Sequence, residues 1–529
     1  MLAAASSNGD KEPETIDEAL ASPQWSAALA TEIEALTRNN TWTAVPRAHV
    51  PATKRILPVK VVWKIKYSAD GKPNRHKARV VIGGHRQRQG IDYNDVFAPT
   101  LGMTSLRALL SHAAVHAHHI HNIDIKSAFL YADIHGEVYM VLPPTVPNKD
   151  EQGGELVARL NKCLYGLHES PLRWSETITA WLTQQGFSRS TADTCVFTKD
   201  NIITIGLFVD DLVLISASLE AITNLKTSIK ERFDITDNGP ISEILGLQVD
   251  YDRTNRCIKL YQHGYATSVL ERFGMIDCKP VSTPMIPHAP LKKTDEAGNF
   301  VPADSAWYKS VVGSLIYLSN STRPDLAFAV GMLARFMSDP GEHHAVAAKR
   351  VLRYLAGTQD HGLTYRNDNS AIADIVTGYS DADFAEDPDS RKSTTGLCFM
   401  MNGAAISWMS KRQPTVASST AEAEYTALFS GTQEAMFLRQ LLTDIGIVCE
   451  TITMNEDNQP AIFIANNPTT SSHSKHFDVR LHYTREKVQE GSIKLQYCPT
   501  ADMVADMLTK ATDRIKFEKF RSTAMGLDG

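Results

Sequence analysis

The chain has 529 residues, a net charge of −6, 43% hydrophobic and 22% charged residues, a length beyond one compact core and in the range of roughly two to four domains. The acidic total excludes a globally basic nucleic-acid binder, so any such surface has to be local. No run reaches the roughly 18–20 apolar residues of a membrane span, the start MLAAASSNGDKEPE lacks a signal peptide's basic flank and apolar centre, and seven scattered cysteines without a CxxC pair argue for reduced thiols in an intracellular protein.

In chain order, residues 1–10 read as a flexible leader. Ile16–Thr37 carries helical spacing through Leu20, Trp25, Ala28, Leu29, Ile33 and Leu36, and Ser22–Pro23 suits a helix start with Ser as cap. Residues 54–88 hold eleven Lys or Arg against one acid, Asp70. Within them VVWKIKY, the turn ADGKPN and HKARVVI predict a β-hairpin with a basic, phosphate-gripping face. A helix follows near 103–118, then a strand at 120–125, a mixed region to Gly186 and a strand pair at 196–215.

That pair contains IGLFVDDLVLI, in which nine of eleven residues are Ile, Leu, Val, Phe or Gly and the other two are Asp210 and Asp211. Adjacent carboxylates in an apolar strand repel each other and lose water. Exposure at a turn would resolve the conflict, and so would a metal ion. Beyond it the pattern predicts a helix at 217–234, a second hairpin at 241–261, a Pro-marked linker CKPVSTPMIPHAPLKK, helices at 305–320, 324–338 and 341–357, and a new strand-rich domain from about Thr377.

Asp124 in HNIDIKSAFL is a further isolated acid on a strand. With Asp210 and Asp211 it supplies the hard oxygen ligands that a two-cation phosphoryl-transfer site needs, although spacing alone is a weak signal. FVDD, DIKSAFL and LNKCLYGLHESPLRW together resemble the reverse transcriptase of copia-type LTR retrotransposons. WKIKYSADGKPNRHKARVVIGG, GIDYNDVFAPT, ILGLQV, ERFGMIDCKPVSTPM, VGSLIYLSNSTRPDLAFAV and the earlier SPQWSAALATEIEALTRNNTW resemble family segments in the family's order.

The resemblance implies an α+β and α/β multidomain chain: a right-hand polymerase of fingers, palm and thumb with a connection segment, followed by a ribonuclease H-like α/β domain. It divides the chain at 1–50 (leader and helix), 51–240 (fingers and palm), 241–370 (thumb and connection) and 371–529 (ribonuclease H-like domain and tail). Asp124 and Asp210, with Asp211 beside them, would hold metal. Lys77 and Arg79 would hold the triphosphate, Tyr165 and Gly166 would shape the nucleotide pocket, and Phe129, five residues after Asp124, would exclude the 2′-hydroxyl. One departure stands out: the family's YGLKQ-type run reads YGLHE, with His168 and Glu169, and an acid facing a triphosphate would weaken its binding.

The C-terminal region resembles a retroelement ribonuclease H through GYSDADFAEDPDSRKSTTG, SSTAEAEYTAL, MNEDNQPAI and ADMVADMLTK. Asp381, Glu424, Asp457 and Asp506 would be its acids, and Phe384 replaces a Trp. Glu422 and Glu424 lie about 200° apart on a helix, so only one faces a given site. Ser419-x-x-Glu422 reads as a capping box, which leaves Glu424 for the metals; Asp383 shares the face of Asp381 as a supporting acid. His112 and His116 have chelating spacing but lack a completing Glu or Cys. His476, in HSKHFDVRLHY, is divided between catalysis and structure.

The implied cofactor is Mg²⁺, two ions per site, with Mn²⁺ as an alternative. The implied partners are an RNA template, a DNA or RNA primer, RNA–DNA hybrid and deoxynucleoside triphosphates, with no membrane; homo-oligomerisation is left open. The implied location is a cytoplasmic particle, the nucleus or both. The rival reading is a decayed or co-opted copy that binds nucleic acid without catalysis.

Overall fold

The computed structural model describes residues 11–67, 73–289, 291–295, 297–366, 375–467 and 475–527. The leader, most of the ADGKPN turn, the 370/371 boundary and His473 lie outside the described residues, and the side chain of His476 is likewise not described.

The helix expected over 16–37 is two helices, Ile16–Ala21 and Pro23–Arg38. Proline restrains the residue before it to extended backbone, and Ser22 sits at φ −99°, ψ 122°. Its hydroxyl does not cap the second helix, contrary to the sequence expectation; it donates to Gln24 Oε1 at 3.0 Å. The basic hairpin forms as read, with Val59–Tyr67 antiparallel to Pro73–Ile82 and Lys64 opposite Lys77.

Behind it stands a six-stranded antiparallel sheet in the spatial order Ile235–Pro240, His119–Ile125, Asp211–Ser216, Ile203–Phe208, Val196–Lys199, Ser188–Arg189. The helices Met103–Val115, Ser170–Gln184 and Leu219–Arg232 belong to this unit and share its apolar core. The apolar run around Asp210 is therefore not one strand. It turns back at Val209–Asp210, with Phe208 paired to Asp211.

The second expected hairpin belongs to a four-stranded sheet, closed by Gly362–Arg366 against Cys257–Tyr261. Helices Ser305–Ser321, Ala327–Ala334 and Glu342–Ala356 follow; the middle one is shorter than expected because Pro324–Leu326 forms a 3₁₀ turn. The C-terminal sheet is mixed, in the order Ala404–Arg412, Thr394–Met401, Thr377–Ala382, Ile452–Glu456, Ile493–Tyr497. Its first three strands are antiparallel, and the last two run parallel to the central one. The 25-residue helix Thr420–Asp444 covers its central strand.

One buried cation joins these units. Arg107, on the helix Met103–Val115, is 4% exposed. Its Nε donates to Ile406 O at 2.7 Å in the C-terminal sheet, and Nη1 donates to Asn320 O and Ser321 O, each at 2.9 Å, at the end of Ser305–Ser321. The guanidinium lies 3.9 Å from the Trp408 ring centroid, a contact of cation–π type. Burial lowers its pKa to about 10, so it stays charged at neutral pH. Arg107→Met should strand three carbonyls and lower stability by about 3 kcal/mol. Arg107→Lys should recover only part, because an ammonium cannot reproduce the planar fork. Urea unfolding curves of the two variants measure both effects; a midpoint unchanged in Arg107→Met would remove Arg107 from this role.

Candidate functional site

Two groups of acids stand at strand ends. In the first, Asp124 lies one residue before the end of His119–Ile125 and faces Asp211 across the strand pair. Asp210 occupies the adjoining turn. Val209 beside it has φ +56°, the left-handed region that a β-branched residue rarely enters. Two bonds hold this strained turn: Trp174 Nε1 donates to Val209 O at 2.6 Å, and Ile125 N donates to Asp210 O at 2.8 Å. Asp124, Asp210 and Asp211 are all half-buried. Exposure at a turn thus relieves part of the conflict read in the sequence.

Asp124 and Asp210 open into a cleft of about 660 Å³ that Lys77, Arg79, Lys126 and Tyr165 also wall. The Arg79 guanidinium lies 4.7 Å from the Tyr165 ring centroid, and Phe129 meets the same ring edge-on at 4.9 Å. Burial pushes the Tyr165 hydroxyl up to about 12, against the pull of Arg79, so it remains a neutral phenol. Phe129, Gly166 and Asp211 are not among the residues that wall the cleft; Phe129 stands behind Tyr165. Gly166 has φ +97°, and a Cβ there would come within 2.2 Å of Ile82 O, so only glycine allows this approach to the basic hairpin. His168 is exposed and stacks on Tyr93 at 4.6 Å, while Glu169 is buried and paired with Arg173 at 3.2 Å. Neither lines the cleft.

In the second group, Asp381, Glu424 and Asp457 bring carboxylate oxygens within 4.8 Å of one another. Among the described residues no other three His, Cys, Asp or Glu side chains gather so closely, and the Asp124–Asp210–Asp211 set does not. Asp381 comes from the central strand, Asp457 from the loop after Ile452–Glu456, and Glu424 from the first turns of Thr420–Asp444. Ala382 N donates to Glu424 Oε2 at 2.7 Å, and Thr509 Oγ1 donates to Asp381 Oδ2 at 2.6 Å. Ser419 caps the helix by accepting from Glu422 N, but Glu422 reaches Ser418 N at 2.7 Å rather than its own cap residue. Glu424 faces the trio, as the helical geometry requires.

Two further acids stand beside the trio. Asp506 is fully buried, close enough to Asp381 to help raise its pKa, and paired with Lys510 at 2.5 Å and Lys516 at 2.7 Å, because the 3₁₀ turn Val504–Leu508 places it beside two cations. Asp383 accepts Thr394 N at 2.9 Å and so braces the neighbouring strand. Sequence reading missed Glu456, which is fully buried next to Asp457 and accepts from Ser380 Oγ at 2.8 Å and Asn458 N at 3.1 Å; its position beside Asp457 was the available signal. Burial raises Asp381 to about 6. Burial, then Glu456, Asp381 and Asp457, hold Glu424 far above the ordinary carboxylate range. Crowded, desolvated hard-oxygen donors of this kind suit a divalent cation, which removes the repulsion.

The architecture defines the class: a right-hand polymerase joined to a ribonuclease H-like α/β domain. Residues 39–287 match the family described as reverse transcriptase (RNA-dependent DNA polymerase). The chain is 39% identical over 522 residues to the retrovirus-related Pol polyprotein from transposon TNT 1-94 of Nicotiana tabacum, an overlap covering 96% of this chain and 38% of that polyprotein. It is 35% identical over 523 residues to the Pol polyprotein from transposon RE1 of Arabidopsis thaliana, covering 98% of this chain and 35% of that one. The solved structure of the foamy viral protease-reverse transcriptase in complex with dsDNA superposes with a TM-score of 0.51 at 12% identity, covering 94% of this chain and 86% of that one; it shares the fold. Over nearly its whole length the chain is homologous to Pol polyproteins of copia-type transposons, and it spans little more than a third of the length of these relatives.

The raised carboxyls fix the sign of a pH effect. The folded chain keeps the Asp381 and Asp383 protons to about pH 6, whereas the unfolded chain releases them near pH 4. For these two groups folding therefore binds protons in that interval, and their contribution to stability falls as pH rises through it. Without metal, they should withdraw on the order of 2 kcal/mol between pH 5 and pH 7. Divalent cation should restore the share of Asp381 but not that of Asp383. Burial holds His361 down at about 4, which gives the opposite slope over the same interval, so the effect is read as a difference: in EDTA the parent's urea midpoint should fall from pH 5 to pH 7 relative to that of Asp381→Asn/Asp383→Asn, and a parallel course in the two would contradict it.

Proposed function

We propose that this chain is an RNA- and DNA-directed DNA polymerase with ribonuclease H activity, copying a retrotransposon RNA into DNA inside the cell. The observation that carries the reading is the cleft in which Asp124 and Asp210 face Lys77 and Arg79 across one opening, beside a neutral Tyr165. Its partners are RNA template, primer, RNA–DNA hybrid and deoxynucleoside triphosphates. Residues 51–240 are assigned to fingers and palm, 241–370 to thumb and connection, and 371–529 to the ribonuclease H-like domain.

In the polymerase cleft Lys77 and Arg79 bind the triphosphate, and Asp124 and Asp210, with Asp211 beside them, hold Mg²⁺. In the second site Asp381, Glu424 and Asp457 hold Mg²⁺, while Asp506 holds Lys510 and Lys516 at its border. Bound Mg²⁺ or Mn²⁺ supplies charge stabilisation for the attacking and departing oxygens. Arg79 orients Tyr165 by lying over its ring, and Tyr165 closes the wall behind the incoming base and sugar. The rival reading, a copy without catalysis, drew on His168–Glu169. That motive weakens when Glu169 is paired with Arg173 away from the cleft.

The two sites should be separable. Asp210→Asn is expected to lower primer extension on an RNA template by about 100-fold or more, roughly 2.7 kcal/mol, and to spare cleavage of a labelled RNA–DNA hybrid. Asp457→Asn should do the reverse. Loss of both activities from either folded variant would defeat the two-site reading.

Sugar choice tests the cleft more finely. A pocket discriminates poorly against an added hydroxyl unless a bulky group blocks it. Phe129 braces Tyr165 edge-on, so shortening it loosens the wall beneath the sugar. Phe129→Val should raise kcat/KM for ribonucleotides relative to deoxynucleotides by about tenfold, about 1.4 kcal/mol, with deoxynucleotide incorporation retained. An unchanged preference in an active variant would assign Phe129 to packing alone.

A further inference from the structure

The reverse-transcriptase match begins at residue 39, yet one wall of the polymerase cleft is the helix Pro23–Arg38, which precedes it. That helix has two working sides. Trp25 and Leu29 are buried with Trp63, Ile65 and Ala78 of the fingers hairpin, and Trp25 meets Trp63 edge-on at 5.6 Å. Gln24, Ala28, Thr31, Glu32, Ala35 and Arg38 line the cleft, and their separations of three and four residues place them along one side.

The hairpin is a sheet of only two strands. Such a unit is marginal alone, and the outward N–H groups of both strands need partners from elsewhere. The N-terminal segment supplies them on both edges. Glu12 accepts from Ile65 N at 3.2 Å and pairs with Lys64. Glu32 Oε1 accepts from Val80 N at 3.1 Å, and the next outward donor, Ile82 N, goes to Tyr165 O at 2.9 Å. Val80 directly follows Arg79, and Lys77 lies two residues further back on the same face. Burial holds the Glu32 carboxyl above its ordinary range, while the Val80 N–H, Arg79 and Lys77 pull it down. An acid kept among the cations that would grip a triphosphate is electrostatically adverse to substrate, so a purely local stabilising role explains its backbone bond but not its place in the cleft wall.

We infer that Glu32 is a positioning residue of the nucleotide site: by accepting the Val80 N–H it fixes the outer edge of Pro73–Ile82 so that Lys77 and Arg79 project into the cleft. The helix Pro23–Arg38 is then a working part of the polymerase. The inference rests on the polymerase reading given above.

The test uses the full chain with Mg²⁺, an RNA template–primer and Glu32→Ala beside Glu32→Gln, whose amide oxygen can still accept from Val80. Glu32→Ala should raise the deoxynucleotide KM about tenfold, with kcat within about threefold and template–primer affinity unchanged. Glu32→Gln should stay within about threefold of the parent KM. Amide hydrogen exchange over residues 79–82, read without nucleotide, should quicken in Glu32→Ala and return in Glu32→Gln. An unmoved KM in Glu32→Ala, or a Gln variant as impaired as the Ala variant, overturns the inference. Unchanged exchange in Glu32→Ala sinks the edge clamp whatever the activity. A parent chain that extends no primer sinks the polymerase reading instead, while the exchange comparison still tests the clamp.

Discussion

Gathering carboxylates away from water is the constraint around which both sites are built. At 4.8 Å, the spacing within Asp381, Glu424 and Asp457, two full charges repel by about 3 kcal/mol at an effective dielectric near 20. A buried Glu456 adds another acid at the same place. The chain meets this cost with donors aimed at specific oxygens: Ala382 N on Glu424, Thr509 Oγ1 on Asp381 and Ser380 Oγ on Glu456. The remainder falls to protons or to a cation. The polymerase cleft answers the same constraint differently. There the acids sit half-buried at a turn, and Lys77, Arg79 and Lys126 share the opening with them. One site is crowded, with two of its three carboxylates buried; the other opens into a cleft of about 660 Å³.

Buried charges of a different kind hold the units together and brace the helices between them. Arg107 spends its donors on carbonyls of two other units rather than on a carboxylate. Arg323 and Asp325 form a fully buried pair at 2.8 Å, with Tyr354 Oη donating to Asp325 at 2.6 Å and Thr358 accepting from Arg323. Such a pair gains little over a packed apolar replacement, but losing one partner strands the other. Its value lies in directionality. Apolar faces slide at small cost, whereas a planar guanidinium with named acceptors permits one arrangement.

Much of this was legible in the sequence because sheets write their faces in period two. The basic hairpin, the strand of Asp124, the strand of Asp381 and the helix of Glu424 follow directly from alternation, capping and helical angle. What was not legible depends on chain segments far apart in sequence. Nothing in SPQWSAALATEIEALTR shows that Glu32 will meet Val80, and nothing near MNEDNQPAI shows that Ser380 will donate to Glu456. The reversal inside IGLFVDDLVLI was legible as a strand pair, but its conformation was not: with no Gly or Asn where the chain turns, nothing local announces a left-handed residue at Val209.

That strained turn is informative about what the fold protects. A left-handed valine costs on the order of 1–2 kcal/mol, and a glycine there would relieve it. The strain persists because the surroundings over-determine it: the Trp174 indole holds Val209 O and the Ile125 N–H holds Asp210 O. The donors come from the helix Ser170–Gln184 and from the strand carrying Asp124, which lines the cleft. A turn eased by glycine would leave Asp210 several backbone conformations of similar energy. With valine held at φ +56°, its carboxylate is carried on a backbone that has one, and the same strand that supplies Asp124 fixes where Asp210 stands.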